Sequence, residues 1–570
     1  MKKRVVTLLP ETEVCHMTSV YEILDYASNM YKNDLAYIQP EGLKDRSAIS
    51  FKKFKKQVDI LRQSLISDGY KDKHFAIIGE TSIEWVETYL AVISGVGVAV
   101  PIDKELSEEI ILSQLEKADI EVIVCSCKSW KKVSRFIDKC SNIKQVFIMR
   151  GEVPQDKYYF SLRSFVSLIN INLDRKQYAE INIDPDKLCT IIFTSGTTGT
   201  NKGVSLSNKN ILATLKGSSR LQMFPLTSIS LLPINHAYEL HVHLLGCLYC
   251  GTTVFLNDDV KHMLKNIQGY QPKMSCMVPM MLDMIMHRIK SGIEKSGKKT
   301  KFEKTVRLSN VLRKVGIDLR YKLFSEVREP FGGQLEIVIC GGAALSQDTI
   351  DFYDDIGVEV YNGYGITECS PVAAVNPYKQ RKDGTVGYVL PNMKARIADI
   401  DENGNGEIEL SGDNVMLGYY NDQESTDKVL EKDGWFKTGD IGHIDNDGYL
   451  YITGRLKNLI ILPNGENIYP EEIEERLMHL VPEIKECVIV ENNKASGLYA
   501  LIYPDPTLCK EKGLNDGDSI QYYLDEQIKQ FNSQIARYKR IGDFEVVDKE
   551  FEKSTTQKIL RHKVKIQKGN

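Results

Sequence analysis

The sequence has no apolar run long enough to cross a bilayer: its longest, Tyr89 to Ile102, falls short of the ~20 residues a membrane helix needs and is interrupted by glycine. Neither sign of charge predominates. The 73 Lys and Arg face 77 Asp and Glu for a net charge of -4, so no global field points to nucleic acid as a partner. Twelve cysteines are scattered without a short framework, which excludes a disulfide-stapled scaffold and fits a reduced, cytosolic chain. The single C-x-x-C, Cys247 to Cys250, lies in an apolar run and is expected to be a pair of buried thiols. The first residues, MKKRVVTLLPETEV, start basic but reach Pro10 and acids after a brief apolar stretch, a poor secretory signal. The expectation is a cytoplasmic protein, soluble or peripheral at the inner membrane surface.

Two familiar site patterns are missing as well. Asp399-x-Asp401-x-Asn403-Gly404 begins like a calcium loop, but Leu410 stands where the bidentate Glu should be, so a hairpin turn is expected. His236, Glu239, His241 and His243 have no zinc-ligand spacing. What is present is a hydroxyl-rich loop, IIFTSGTTGTNKGVSL, from Ile191 to Leu206. Thr194, Ser195, Thr197, Thr198 and Thr200 offer hydroxyl donors, Lys202 a cation, and Gly196, Gly199 and Gly203 a backbone able to turn close to a ligand. It is not a Walker A loop, which needs Gly before the Lys and Ser or Thr after it; here Asn201 precedes and Gly203 follows. Val204 to Leu206 alternate like a strand, with Asn208 as the next helix cap.

At 570 residues the chain should form three or more lobes. From Ser19 to Lys187, helical segments such as Phe51 to Asp68 alternate with short β-rich runs at His74 to Ile78, Val96 to Val100, Ile120 to Cys125 and Gln145 to Met149. The pattern resumes at Ser228 to Leu232, Thr252 to Phe255, Met274 to Val278, Leu335 to Cys340 and Val358 to Tyr361, and implies one large layered α/β body. Within it, Arg288 to Arg328 carries thirteen Lys or Arg against four Asp or Glu, with Leu308, Leu312, Val315, Leu319, Leu323 and Val327 at helical spacing. That local +9 leaves -13 for the rest of a chain whose net charge is -4, and anionic membrane surfaces are its expected contact. A small β-rich subdomain is expected over about 385–455, and an α+β domain over 456–570 with helices at Tyr469 to Leu480 and Ser519 to Tyr538, the latter capped by Asp518 or Ser519.

Four further clusters mix glycine turns with charged, aromatic or hydroxyl groups: CGGAALS at Cys340, YNGYGITE at Tyr361, GWFKTGDIG at Gly434 and GRLKNLIILPNGENIYPEEIE at Gly454. With the hydroxyl loop, their order and content resemble the adenylate-forming (AMP-binding) superfamily, over nearly the whole chain. The resemblance implies that Thr194 to Gly199 and Lys202 cover the phosphates of ATP and that Gly341, Gly342 and Ala343 form the backbone wall of an adenine slot. It further implies that Tyr364, followed by Gly365, stacks on adenine, that Thr367 touches the α-phosphate, that Glu368 holds Mg²⁺, and that Asp440 and Arg455 bind the ribose. His236 matches the gating residue beside an acyl pocket, Lys457 the hinge, Gly465 the loop brought to the acyl site after rotation, and Lys558, in FEKSTTQKILR, the catalytic lysine. The chain departs from the family pattern at Asn201, usually Pro, and at Gln557, usually Gly; neither change removes a chemical group.

Within the superfamily the basic insert, the LPNGENIYPEEIE wording and the Met-rich run MVPMMLDMIM resemble the long-chain fatty acid:CoA ligase group, with the methionines suited to an alkyl pocket. The fold so implied is an AMP-binding N-terminal domain over 1–455 followed by a mobile C-terminal domain over 456–570. The activity so implied joins a fatty acid to the thiol of CoA through acyl-AMP. An acyl carrier protein as the acceptor, another acid as the substrate, and an idle lipid-binding homologue are the alternatives.

Overall fold

The computed structural model describes residues 16–41, 45–149, 162–164, 181–195, 201–462, 467–491, 497–553 and 559–564. The β-rich runs fold as strands close to their expected limits, and Val122–Cys125, Gln145–Ile148 and Ile337–Cys340 are buried along their whole length. Such runs do not alternate, because helices cover both faces of a parallel sheet. What periodicity did not disclose is that the strands divide between two sheets.

Among the described residues, one sheet has nine strands. Its parallel centre runs Glu359–Gly365, Ile337–Cys340, Met274–Met277, Thr227–Ser230, Thr253–Leu256 and Leu35–Glu41, with antiparallel strands at both edges. The other has eight strands, in which Leu188–Ser195 joins the parallel set around Lys73–Ile78 and pairs on its far side with the antiparallel Asn201–Ser207. A four-stranded antiparallel sheet of Met393–Ala398, Gly406–Gly412, Phe436–Ile444 and Leu450–Arg455 forms the β-rich subdomain. Asp401 takes the Asn403 and Asn405 amides on one carboxyl oxygen at 2.9 and 3.0 Å, so the calcium-like stretch is a hairpin turn. Beyond Arg455, helices Pro470–Leu480 and Gly517–Ser533 pack on a three-stranded sheet with its own apolar core.

Helix starts differ from the sequence reading in two places. Ser207, not Asn208, caps Asn208–Ser218, because its hydroxyl and the Asn210 side chain bond reciprocally to each other's backbone amides. Asp516, not Asp518 or Ser519, caps Gly517–Ser533 by the same device, with Ser519 as its partner, and the helix stops before Tyr538, which lies in a 3₁₀ turn. In both, the capping side chain accepts from the amide three residues on, a geometry that composition alone leaves ambiguous.

Between the two sheets, Tyr238–Leu244 is wound as a π-helical turn that buries His241 and His243 completely. His243 meets Glu239 through Nδ1 at 2.7 Å and Ser228 through Nε2 at 2.6 Å. His241 Nδ1 faces the Ser370 carbonyl at 3.3 Å and so carries the proton, leaving Nε2 to accept from the Tyr89 hydroxyl at 2.7 Å. These residues are core hydrogen-bond partners. Of the C-x-x-C pair, Cys247 is fully buried and Cys250 half-buried, and burial pushes the Cys250 thiol up to about 12.

Burial lowers the His241 imidazole from 6.5 to about 4, with the Ser370 carbonyl opposing in part. The unfolded chain therefore takes up a proton near pH 6.5 that the folded chain refuses until about pH 4. This contribution to stability is complete above the unfolded value and is lost as pH falls through the interval, by up to about 3 kcal/mol. Urea midpoints measured between pH 7 and 4 should fall for the wild type, and His241→Gln should flatten that slope even if it lowers stability overall.

Candidate active site

The hydroxyl-rich loop closes the hairpin of Leu188–Ser195 and Asn201–Ser207, in which Thr194 pairs with Lys202 and Ser195 with Asn201. Gly196, Thr197, Thr198 and Gly199 lie outside the described residues, as does the Ser195 side chain. Gly203 is a strand residue opposite Phe193; a Cβ there would come within 2.8 Å of Ile191 Cγ2, so packing beneath the strand requires this glycine, not a turn toward a ligand as its motif suggested. The Lys202 ammonium sits over the face of Tyr419 at 4.6 Å and has no carboxylate within 4 Å among the described residues.

Tyr419 is held by the strand pairing of Gly418–Tyr419 with Asn201–Ser207, opposite Val204. Its hydroxyl donates to Glu368 Oε1 at 2.9 Å. Glu368 belongs to the 3₁₀ turn Thr367–Cys369, whose position is set by the Met416 amide bonding to the Glu368 carbonyl at 2.8 Å. Burial raises the Glu368 carboxyl, partly offset by hydrogen bonds from its own backbone and Tyr419, and no cationic side chain lies within 4 Å among the described residues. A half-buried carboxylate in that state fits a divalent cation carried in on a phosphate chain.

On the neighbouring strand, the Tyr364 hydroxyl donates to Asp440 Oδ2 at 2.6 Å, while Arg455 Nε donates to Asp440 Oδ1 at 2.9 Å. Asp440 and Arg455 are direct cross-strand partners, and the aspartate side chain is only 4% exposed. Each carboxyl oxygen can still accept one more hydrogen bond, which suits the vicinal hydroxyls of a ribose. Gly365 follows Tyr364 where a Cβ would lie 1.8 Å from the Pro371 carbonyl oxygen, so glycine is obligatory there. At Gly341 a Cβ would lie 3.2 Å from the Gly363 oxygen, a tight but lesser constraint, and Gly342 turns with φ +89° into the exposed Ala343.

A cavity of about 90 Å³ links these pieces: Gly341, Gly342, Tyr364 and Gly365 form one wall, and Phe224, Tyr238, Val242 and Val375 supply an apolar lining. None of Met277 to Met286 lines it. Met281, Leu282, Ile285 and Met286 are buried in the core and Met280 and Met284 face outward, so the Met-rich run is helix packing and surface and not the wall of this cavity. His236 is half-buried in the turn that leads into the π-helix, its carbonyl accepting from the Leu240 amide at 3.0 Å, and it too is absent from the lining.

Lys457 is exposed in the 3₁₀ turn Leu456–Asn458. Lys558 and Gly465 lie outside the described residues; among the described ones nearby, Lys553 and Ile559 form an antiparallel bridge, and Arg561 pairs with Glu474 and, at 3.8 Å, with Glu471. Glu471 also accepts from the Asn458 side chain at 2.5 Å, so one carboxylate touches both the Leu456–Asn458 turn and Arg561. Tyr419 and Glu471 escaped the sequence reading. Their roles come from pairing between segments far apart in the chain, for which spacing carries no signal.

The family model described as AMP-binding enzyme matches residues 24–420, and that described as AMP-binding enzyme C-terminal domain matches residues 457–567. A long-chain-fatty-acid–CoA ligase of Mycobacterium bovis is 27% identical over 555 residues, covering 89% of this chain and 88% of its own. Long-chain-fatty-acid–CoA ligase 5 of Rattus norvegicus is 29% identical over 493 residues, covering 80% and 71%. Among solved structures, an anthranilate CoA ligase in complex with anthranoyl-AMP superposes with a TM-score of 0.75 at 19% identity, covering 96% of each chain. ATP-bound MatB from Rhodopseudomonas palustris gives 0.73 at 23%, covering 95% of this chain and 97% of its own.

Asp440→Asn replaces one carboxylate oxygen by an amide donor and removes the charge from the Arg455 pair. ATP affinity should fall at least about tenfold, the scale of one hydrogen bond to a charged group. Calorimetric titration with ATP reads the loss, and circular dichroism separates it from unfolding.

Proposed function

The chain belongs to the AMP-binding enzyme family, and on that premise we propose that it activates a long-chain fatty acid with ATP and passes the acyl group to the thiol of CoA. The observation that carries this reading is the apolar cavity lined in part by the Gly341–Gly342 turn and by Tyr364, whose hydroxyl bonds to Asp440 and which lies a few residues from Glu368 in the chain. The names of the relatives support the choice of acid and acceptor.

A carboxylate resists attack at carbon because its charge is delocalised and oxide cannot leave. Attack of a carboxylate oxygen on the α-phosphorus of ATP expels pyrophosphate and leaves acyl-AMP. Negative charge builds on the phosphate oxygens in that step, and fixed cations and donors stabilise it most when they need no reorganisation. Lys202, held over Tyr419, and Thr367 are the described groups on our reading, with Lys558 supplied by the C-terminal domain and Ser195 to Gly199 by the loop. Mg²⁺ enters as part of the ATP substrate, where Glu368 would hold it and its charge would offset that of the phosphates. A thiol then attacks the acyl carbon and AMP leaves.

Two reactions at one centre ask for a moving part. We place it at Lys457, with an N-terminal domain over 1–455 and a C-terminal domain over 456–570; rotation there would withdraw Lys558 and bring the Gly465 loop in. His236 would gate the acyl pocket. The decisive experiment is pyrophosphate release with a panel of carboxylic acids, chased with CoA or with an acyl carrier protein; no release with any fatty acid overturns the reading, and transfer to the carrier alone changes the acceptor. The cytoplasmic placement and peripheral membrane contact belong to the same proposal.

Lys558→Ala should slow acyl-AMP formation by ~10² or more, as expected when one preorganised cation is lost from a phosphoryl centre. Thioester formation from supplied acyl-AMP should survive, whereas a parallel fall in both half-reactions would assign Lys558 another role. Lys457→Pro should spare adenylation and damage thioester formation, since a fixed φ hinders rotation at the turn; single-turnover assays of the two steps separate these outcomes.

A further inference from the structure

Helix Lys299–Lys314 and the segment that follows it present a surface that the proposed chemistry does not use. One side of the helix is tied to the body: Phe302 packs against Phe324 and Phe352 with ring centroids 5.6 and 6.4 Å apart, Ser309 is buried, Asn310 bonds to Asp355 at 2.9 Å, and Arg313 pairs with Asp354 at 2.9 Å. Those contacts fix which side faces out. Leu308, Val311 and Val315, at helical spacing on the outer side, are 55%, 60% and 69% exposed. Beyond the Gly316 turn, Ile317, Leu319 and Leu323 continue the exposed apolar surface.

Of the apolar stripe read from the sequence, Leu312 and Val327 are half-buried, and Leu308, Val315, Leu319 and Leu323 stay exposed. Positive charge is interleaved with it. From Lys298 to Leu323 there are nine Lys or Arg and two Asp or Glu, and one of those acids, Asp318, is paired with Arg320 at 2.8 Å. Lys298 and Lys299 are matched by Glu326 and Glu294. Lys301, Lys304, Arg307, Lys314 and Lys322 are exposed and have no carboxylate within 4 Å among the described residues; Glu303 is the acid left among them.

We infer that this face docks on an anionic lipid bilayer. Protein interfaces exclude lysine from their apolar centres, whereas an interfacial helix combines Leu and Val with Lys and Arg, whose long stems let the ammonium reach the head groups while the apolar side chains enter the acyl boundary. The charge complementarity is local, since the rest of the chain is net acidic and is repelled by the same leaflet. The inference rests on the proposed use of a fatty acid only for its purpose: such an acid partitions into bilayers, so docking brings the enzyme to its substrate.

The test is co-sedimentation of the full chain with vesicles of phosphatidylcholine alone or mixed with phosphatidylglycerol, at low and high salt. Binding should require phosphatidylglycerol and fade with salt. Replacing Lys301, Lys304, Arg307 and Lys314 together by Gln should weaken the partition coefficient by on the order of 10² or more. Leu308, Val311 and Val315 changed together to Ser should weaken it with charge intact, while both variants keep wild-type pyrophosphate release with a short, water-soluble acid. Binding that ignores lipid charge, wild-type sedimentation that persists in both variants, or no vesicle binding at all overturns the inference. So does self-association through this face, read as a larger mass in light scattering that the Ser variant abolishes together with vesicle binding. Vesicle binding without fatty acid activation would remove the substrate reading and leave the surface standing.

Discussion

The carboxylate of Asp440 joins two sheets. It comes from the four-stranded subdomain, takes Arg455 on one oxygen from the adjacent strand, and takes the Tyr364 hydroxyl on the other from strand Glu359–Gly365 of the nine-stranded sheet. Arg455 keeps its place beside Asp440 whatever the orientation of the subdomain, so it is the Tyr364 hydrogen bond to the buried carboxylate that favours this orientation, at the ~1.5–3 kcal/mol of a bond to a charged group. The ligand surface depends on that orientation, because Tyr364 and Gly365 line the cavity while Asp440 and Arg455 belong to the other sheet.

A second bridge works in the same way across the eight-stranded sheet. Tyr419 lies under the Lys202 ammonium and reaches Glu368 with its hydroxyl, so a strand of two residues brings a cation and a carboxylate to a shared aromatic ring. Neither Lys202 nor Glu368 is neutralised by an opposite charge among the described residues. Groups of that kind are costly to keep in a fold that does not use them, and they are the clearest electrostatic mark that this region binds a charged ligand.

The strands and most helices were legible because burial on both sheet faces leaves unbroken apolar runs, as in Val122–Cys125 and Ile337–Cys340. The division into two sheets was not, since parallel strands of either sheet have the same composition. Helix caps were misplaced at Asn208 and at Asp518 or Ser519 because several neighbouring side chains could each accept the first free amides, and only the backbone path selects among them. The Met-rich run lies in helix packing and on the surface and does not line the cavity, since a flexible thioether suits an alkyl pocket and an ordinary core equally well.

What the sequence determined by itself is the inventory and its order: the hydroxyl-rich loop with Lys202, the turn carrying Glu368, the Asp440 and Arg455 strands, and the resemblance these carry. Short motifs of this kind are local, because each needs only a few adjacent residues to shape a turn around a ligand. What the tertiary structure alone decided is which of them touch: Tyr364 with Asp440, Tyr419 with Glu368 and Lys202, Glu471 with Asn458 and Arg561, and which side of helix Lys299–Lys314 meets solvent. Those contacts join residues up to hundreds of positions apart, and their partners are chosen by sheet register and packing, which no local pattern of side chains encodes.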